Sequence, residues 1–428
     1  MICRLRMITP LWIIRFLAIA TTAVLSGSCS AAFLSLLDTA TSLRKHHEWL
    51  ILFLPFGGLA SGWMYSKWGS SVEAGNNLVF DEIREPSRGI ACRITPMVLL
   101  GTLITHLFGG SAGREGTAVQ MAAGIGDLCR RWFRISGQPD RTLLLQTAVA
   151  AGFSGVFGTP IAGAFFALEV LRRRMLSTVA LPCCLLASII GDQSCLAWGA
   201  THTKYSIRPG LIAEYTSVDG STLITVAIFM LAAAITGVVF GIATILFCRL
   251  TQKVGQWSKT YVRHAWLRPL IGGLCITTVY ILTGNTDYLG LGVKSSTEES
   301  VSIVSSFQPN GAEPASWISK LVLTSVTVGT GFKGGEVTPL FFIGASLGNS
   351  VASWTGLPAD WLAGLGFVCL FGAATKTPLT SLLMSVELFG GDYLPHFAIA
   401  ICVALIASGD YGIYRSNTTP LTKSHLET

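Results

Sequence analysis

Long apolar segments, interrupted at intervals by glycine or proline, fill most of this 428-residue chain. Residues 16–37 contain no charged side chain and are long enough to cross a bilayer of about 30 Å, so we expect a retained first helix and not a cleaved signal peptide. Several later segments are too short to span a bilayer alone, which is typical of transporters whose half-helices end in mid-membrane. The predicted segments lie near 48–66, 95–110, 143–158, 160–171, 178–200, 222–250, 267–283, 318–332, 338–356, 361–374, 378–390 and 396–408.

Charged residues make up 12% of the chain, against about 25% in soluble domains, so we expect one transmembrane domain covering residues 1–428. The net charge of +7 resides in short basic clusters, which we interpret as positive-inside signals and not as a nucleic-acid-binding surface. These clusters are Arg44 and Lys45; Arg130, Arg131 and Arg134; and Arg172, Arg173 and Arg174. The eleven cysteines form no CxxC pair and the seven histidines show no metal spacing, so no cofactor, metal or disulfide is expected.

Two motifs occur twice, in the same order. GREGTAVQ (113–120) has a counterpart in GGEVTPLFF (334–342), and GTPIAGAFFALEV (158–170) has one in KTPLTSLLMSVEL (376–388). Glu336 lies 221 positions after Glu115, and Pro378 lies 218 positions after Pro160. This regularity predicts two repeat halves, near 16–200 and 222–415, followed by a short polar tail at 416–428. Transporters built this way commonly have inverted halves, with the transport site at their interface.

Glu115 lies where a glycine-rich turn begins a helix. Such a turn presents free backbone N–H groups and the positive end of the helix dipole, which together form an anion site. The Glu115 carboxylate could occupy that site and leave it when protonated, acting as both gate and proton carrier. The alternative is a glutamate that complements the dipole or pairs with Arg114. An ionisable residue inside a membrane favours the functional interpretation. A phosphate-binding loop is excluded because the GxxxxGK[ST] pattern is absent.

GREGTAVQ, GGEVTP, GNNLVFDEI (75–83) and GIYRSN (412–417) resemble the signature segments of CLC anion channels and transporters. The resemblance covers nearly the whole chain and implies an all-α integral membrane protein with two inverted repeats of broken, tilted helices. It also implies a homodimer with one anion pathway in each subunit.

The departures from the chloride-handling members are informative. Those members read GSGIP, GREGP and GxFxP at the three anion-site segments. Here Asn76 replaces the serine, Thr117 replaces a proline, and Glu336 and Val337 replace an aliphatic residue and the phenylalanine. This combination is similar to that of the CLC-type fluoride/proton antiporters.

The resemblance implies specific roles for individual residues. Gating and proton transfer are assigned to Glu115 and Glu336, because Val170 stands where chloride/proton exchangers have their inner proton-transferring glutamate. The anion-binding residues are Asn76, Gly116, Thr117, Val337, Thr338 and Tyr414. Fluoride is a strong hydrogen-bond acceptor, and amide, hydroxyl and helix N–H groups supply the donors that it needs.

Alternatives remain open for several of these residues. Asn76 could be a helix N-cap, and Asn77 could take its place in the pathway. Tyr414 could be an interfacial anchor, and Thr338 could simply start a helix. Glu169 and Glu387 are expected to bond backbone groups at helix ends, and residues 81–88 are expected to form an interfacial loop.

The predicted function is secondary active export of fluoride in exchange for protons. The alternative is a CLC-type chloride channel or chloride/proton exchanger. An enzyme is not expected, since no nucleophile–base or metal constellation is present. We expect an integral membrane protein of a bacterial inner membrane, whose partners are fluoride or chloride, protons, the lipid bilayer and a second copy of the chain.

Overall fold

The computed structural model describes residues 11–87, 89–171, 179–211, 222–294 and 300–414. Within these ranges it contains fifteen α-helices and no strand, so the all-α prediction is confirmed. The first ten residues, the basic cluster Arg172–Arg174 and the polar tail at 416–428 lie outside the described residues.

The helices can be grouped according to the two predicted halves. The first group contains α1 (Leu11–His46), α2 (Leu54–Trp68), α3 (Asn76–Arg84), α4 (Ile94–Leu107), α5 (Glu115–Trp132), α6 (Gln138–Phe157), α7 (Pro160–Glu169) and α8 (Ala180–Ala197). The second group contains α9 (Thr222–Tyr261), α10 (Arg268–Thr283), α11 (Ser316–Gly329), α12 (Val337–Thr355), α13 (Ala359–Thr375), α14 (Pro378–Phe389) and α15 (Leu394–Ser408).

The helices differ widely in length, as the broken apolar segments predicted. Among the described residues, four helical stretches are long and apolar enough to cross a bilayer: Trp12–His46, Ala180–Ala197, Leu223–Tyr261 and Ala265–Thr283. Other apolar helices have 10 to 17 residues, including α7 and α14. The predicted loop at 81–88 is partly wrong, because Asp81–Arg84 form the last turn of α3.

The two short helices α7 and α14 begin in the same way. Each has a proline as its first residue, preceded by a threonine with non-helical backbone angles. Proline is favoured there because its missing N–H is not needed and its fixed φ suits a helix. The equivalent helices of the two repeats therefore start by the same local mechanism.

A glutamate from each half caps the short helix of the other half. The Glu169 carboxylate accepts hydrogen bonds from the backbone N–H groups of Leu379 (2.9 Å) and Thr380 (2.7 Å) and from the Thr380 hydroxyl (2.6 Å). The Glu387 carboxylate accepts hydrogen bonds from the N–H groups of Ile161 and Ala162, each at 2.8 Å. The geometry agrees with the structural role expected for both glutamates, and the exchange of caps is what two interlocked repeats produce.

Removing one of these caps should destabilise the protein. Glu169→Ala leaves two buried N–H groups without acceptors, at a cost of about 1–3 kcal/mol each, so we expect a loss of about 2–6 kcal/mol. The measurement is thermal unfolding of the purified protein in detergent. Glu85→Ala, which removes an exposed glutamate, is the matched control. Equal melting temperatures for the two variants would contradict the capping role.

Basic residues lie near both ends of α1. Arg15, near its start, forms a 2.9 Å ion pair with Asp140 at the start of α6, close in sequence to the Arg130–Arg134 cluster. Arg44 and Lys45 occupy the last turn of this 36-residue helix, about 44 Å from Arg15 along its axis. Because α1 is one continuous helix, its two ends lie on opposite sides of a bilayer that it crosses, so only one of them can carry a positive-inside signal. The positive-inside role of Arg44 and Lys45 therefore stays a prediction.

Close packing fixes the helix that begins at the second glycine motif. A Cβ on Gly344 of α12 would lie 2.1 Å from the carbonyl oxygen of Gly366 in α13, so the two helices touch through their backbones. Nearby, the Phe341 and Phe367 rings stack with centroids 4.0 Å apart. Small residues allow this close approach in membrane helices. The N-terminus of α12 is consequently held by a rigid, fully packed pair.

Candidate anion site

The two glycine-rich loops of the repeats pair with one another. The Gly113 N–H donates to the Gly335 carbonyl (2.6 Å), and the Gly335 N–H donates to the Gly113 carbonyl (2.8 Å). A Cβ on Gly113 would lie 2.8 Å from the Thr338 hydroxyl and 3.0 Å from the Gly335 carbonyl, so this approach excludes a side chain. Helices α5 and α12 start directly after these loops, and their N-termini therefore converge.

The Glu115 carboxylate occupies the start of α12. One oxygen, Oε2, accepts hydrogen bonds from the Thr338 N–H (3.0 Å) and the Thr338 hydroxyl (2.5 Å), and it lies 3.3 Å from the Arg114 N–H. The other oxygen, Oε1, lies 3.7 Å from Arg114 Nε and has no hydrogen-bond partner among the described residues. Glu115 is 1% exposed. The Glu115 carboxylate, from the first half, thus occupies the position at which the N-terminus of α12, in the second half, would bind an anion.

Asn76 brings a third helix start to the same point. It is the first residue of α3, and a Cβ on Gly116 would lie 2.7 Å from its Nδ2 atom. The residue in the N-cap position is Gly75, with φ of 59°, and no side chain caps this helix, so Asn76 is not an N-cap. Its Oδ1 atom is buried and has no hydrogen-bond partner in the described part of the chain. The Asn76 amide therefore lies against the α5 start.

Tyr414 also faces this region. It is 3% exposed, and its ring packs edge-on against Phe80 of α3 with centroids 4.9 Å apart. It lies within electrostatic range of both Glu115 and Glu336. Its burial argues against the role of an interfacial anchor, because such residues expose their polar tip at the bilayer surface.

Glu336 immediately precedes α12. It is surrounded by protein but keeps part of its surface accessible, as expected for a residue that lines an internal passage. Its neighbour Val337 is buried and is the first residue of α12. The Thr117 hydroxyl lies 2.8 Å from the Thr102 hydroxyl of α4, so its side chain is engaged away from the α12 start. Of the predicted anion-binding residues, Gly116, Thr117 and Val337 can therefore supply backbone N–H groups.

A histidine that the sequence analysis did not single out holds the first loop. The buried His106 of α4 places Nδ1 2.9 Å from the Thr102 carbonyl and Nε2 3.0 Å from the Ala112 carbonyl. Ala112 belongs to the glycine-rich loop before Glu115, so His106 fixes the backbone that precedes Glu115. The sequence signal that could have identified His106 is the presence of an ionisable residue inside an apolar segment.

The chain matches the family model of the voltage-gated chloride channels over residues 57–409. It belongs to this family, the CLC family. A relative from Pseudomonas syringae pv. tomato, named a chloride/fluoride channel protein, is 43% identical over 421 residues, which cover 97% of this chain and 88% of the relative. A crystal structure described as a CLC-type fluoride/proton antiporter is 35% identical, with a TM-score of 0.85, and covers 94% of this chain and 97% of its own.

A more distant structure shares the fold. It is described as a slow cyanobacterial Cl⁻/H⁺ antiporter, is 17% identical with a TM-score of 0.74, and covers 94% of this chain and 95% of its own. The CLC fold consists of two inverted helical repeats, which confirms the predicted fold class. Members of the CLC family are integral membrane transporters or channels and not enzymes.

Proposed function

We propose that this CLC protein exports fluoride across the membrane in exchange for protons, with Glu115 as the gating and proton-carrying residue. The observation that carries the proposal is the pair of hydrogen bonds from Thr338 to the Glu115 carboxylate at the start of α12. An ionised carboxylate only accepts hydrogen bonds, as fluoride does, so the two compete for the same donors. Protonation removes the charge of Glu115, and the site then becomes available to the anion.

Glu336 is the proposed second proton-transferring residue. Glu169 is unsuited to this role because three donors already bind its carboxylate. Its neighbour Val170 is apolar and fully buried. Glu336 is the carboxylate next to the α12 start that retains an accessible surface. A proton route from the inside would therefore run through Glu336 to Glu115.

Fluoride is the proposed anion because the converging groups are strong donors. They are the Asn76 amide, the hydroxyls of Thr338 and Tyr414, and the N–H groups at the starts of α5 and α12. A small anion with a tightly held hydration shell needs several such donors to replace that shell. Similarity to a chloride/fluoride channel protein and to a fluoride/proton antiporter supports the same choice.

The alternative is a chloride channel or a chloride/proton exchanger with the same fold. Transport in liposomes separates these possibilities. Fluoride-loaded vesicles containing the purified protein are expected to release fluoride to a selective electrode while their interior acidifies through proton uptake. Chloride-loaded vesicles are expected to show slower release. Equal or faster chloride release without proton movement would overturn the antiporter and establish the channel.

The assembly and location follow from the same similarity. We propose a homodimer in the inner membrane of a bacterium, in which each subunit has its own pathway. The many exposed apolar side chains of α8, α9 and α10 suit contact with lipid or with a second subunit.

A further inference from the structure

A polar cavity of about 350 Å³ lies outside the gate. Arg114, whose Nε is 3.7 Å from the Glu115 carboxylate, forms part of its wall, so the cavity adjoins the gating residue. Its charged lining consists of Arg44, Lys45, Arg114 and Lys294 together with Asp38 and Asp287. Among the described residues of the lining the cationic groups outnumber the carboxylates, and such a cleft concentrates anions.

Arg44 is the unusual member of this lining. Its side chain is deeply buried at the end of α1, with 5% of the residue exposed. Neither Nε nor Nη1 has a hydrogen-bond partner in the described ranges. Leaving buried donors of a charged group unpaired is costly, and the cost is removed when an anion or an acceptor binds.

A buried lysine lies beside Arg44. The fully buried Lys320 of α11 donates to the carbonyl groups of Gly290 (2.7 Å) and Tyr288 (3.1 Å). A Cβ on Gly290 would lie 3.1 Å from Arg44 Nη2, so both side chains adjoin this one residue. Neither forms an ion pair with a carboxylate among the described residues, and Glu48, the acidic group that acts on Arg44, is exposed. A buried guanidinium without a bound counter-charge attracts an anion.

The acidic residues of the lining oppose this attraction only weakly. Asp38 is exposed to water. Burial raises the pKa of the Asp287 carboxyl, because lost hydration disfavours its charged form, and its Oδ2 atom already accepts a 2.8 Å hydrogen bond from the Val301 N–H. Neither carboxylate bonds to Arg44.

We propose that Arg44, with Lys320 behind it, forms a second anion-binding site for a halide ion at the base of this cavity, separate from the Glu115 site. The inference requires a CLC protein but does not depend on fluoride selectivity or proton coupling. With the richer basic cluster, at the Arg15 end, assigned to the cytoplasm by the positive-inside rule, the Arg44 end of α1 faces the outside and the site receives the anion after it passes Glu115. An anion held there leaves the donors of Thr338 free for the returning Glu115 carboxylate.

The first test is crystallographic and uses bromide as a probe. Crystals of the full-length protein soaked in bromide are expected to show an anomalous peak beside the Arg44 guanidinium. Arg44→Gln should lose this peak, whereas Lys45→Gln, which neutralises the neighbouring exposed residue of the same cavity, should keep it. A wild-type protein with bromide at the α12 start and none beside Arg44 would overturn the proposal, even if Arg44→Gln failed to fold.

The second test measures affinity in transport. With halide supplied from the outside, Arg44→Gln is expected to raise the half-saturating halide concentration at least about tenfold. Loss of one hydrogen bond to a charged group weakens binding by about this factor. Arg44→Lys should restore part of the affinity, and the rate at saturation should change little. An unchanged half-saturating concentration in Arg44→Gln would refute a role in transport. Failure of fluoride selectivity alone, with bromide still bound at Arg44, would refute the proposed function and leave this site intact.

Discussion

Glu115→Gln is expected to abolish proton-coupled fluoride transport. Glutamine resembles the protonated acid in shape but cannot release a proton, so no proton should be taken up as fluoride leaves. The amide also lacks the charge that the Thr338 donors bind at 3.0 and 2.5 Å, so the closed state loses its strongest contact. We expect proton uptake at the level of protein-free liposomes and fluoride release that no longer depends on a proton gradient, because the exchange cycle needs a residue that both takes up and releases a proton.

The measurement pairs a fluoride electrode with a pH-sensitive dye inside the vesicles. Glu387→Gln is the matched control, because Glu387 also binds the start of a helix but lies at α7, away from the paired glycine loops. The control should transport like the wild type once its folding has been verified by size-exclusion chromatography. Proton uptake that persists in Glu115→Gln would mean that another group carries the proton.

Glu336→Gln should separate anion binding from proton delivery. The substitution leaves the Thr338 donors and the Glu115 carboxylate in place, so the α12 start should still bind an anion. Proton uptake should fall at least about tenfold, because Glu169, the other glutamate considered for proton transfer, is occupied by three hydrogen bonds. Glu336→Asp, which keeps a carboxylate, should recover part of the uptake.

Two readouts check this result on the same protein sample. Proton uptake is followed in liposomes, and fluoride binding is followed by calorimetry in detergent. Loss of both binding and uptake would assign Glu336 to the anion site itself. Unchanged uptake would show that protons reach Glu115 by a route that avoids Glu336.

The sequence predicted the local parts of the site well. A glycine-rich turn followed by Glu115 indicated a helix start, and the duplicated motif indicated a second start at 336–338. Both are present, at the beginnings of α5 and α12. These predictions succeeded because backbone geometry at such turns is determined by neighbouring residues.

The partners across the repeats could not be predicted from the sequence. Glu115 and Thr338 are 223 positions apart, and no local pattern encodes which helix start receives which carboxylate. The surroundings of Arg44 could not be predicted for a related reason. A basic pair after an apolar segment usually faces water, and only the tertiary structure places Gly290, from another loop, beside the guanidinium. The last turn of α3 was missed because its charged residues resemble those of a loop.

The side-chain contact of Thr117 could not be predicted from its difference from the chloride-handling members of the family. The family resemblance placed it in the anion pathway because it replaces a proline. In the structure its hydroxyl contacts Thr102, and its side chain joins α5 to α4. A threonine in this position therefore adds a contact between two helices.

The exchanged caps of α7 and α14 also bear on the order in which the chain is assembled. The acceptor for the Ile161 N–H lies 226 positions later, so α7 is made long before Glu387 leaves the ribosome. Until then its first amides face an apolar environment without a partner, a state that lipid penalises by several kcal/mol. The first half of the nascent chain therefore cannot complete its own folding. The start of α7 is capped only after the second half, which is its repeat, has been synthesised and has packed against it.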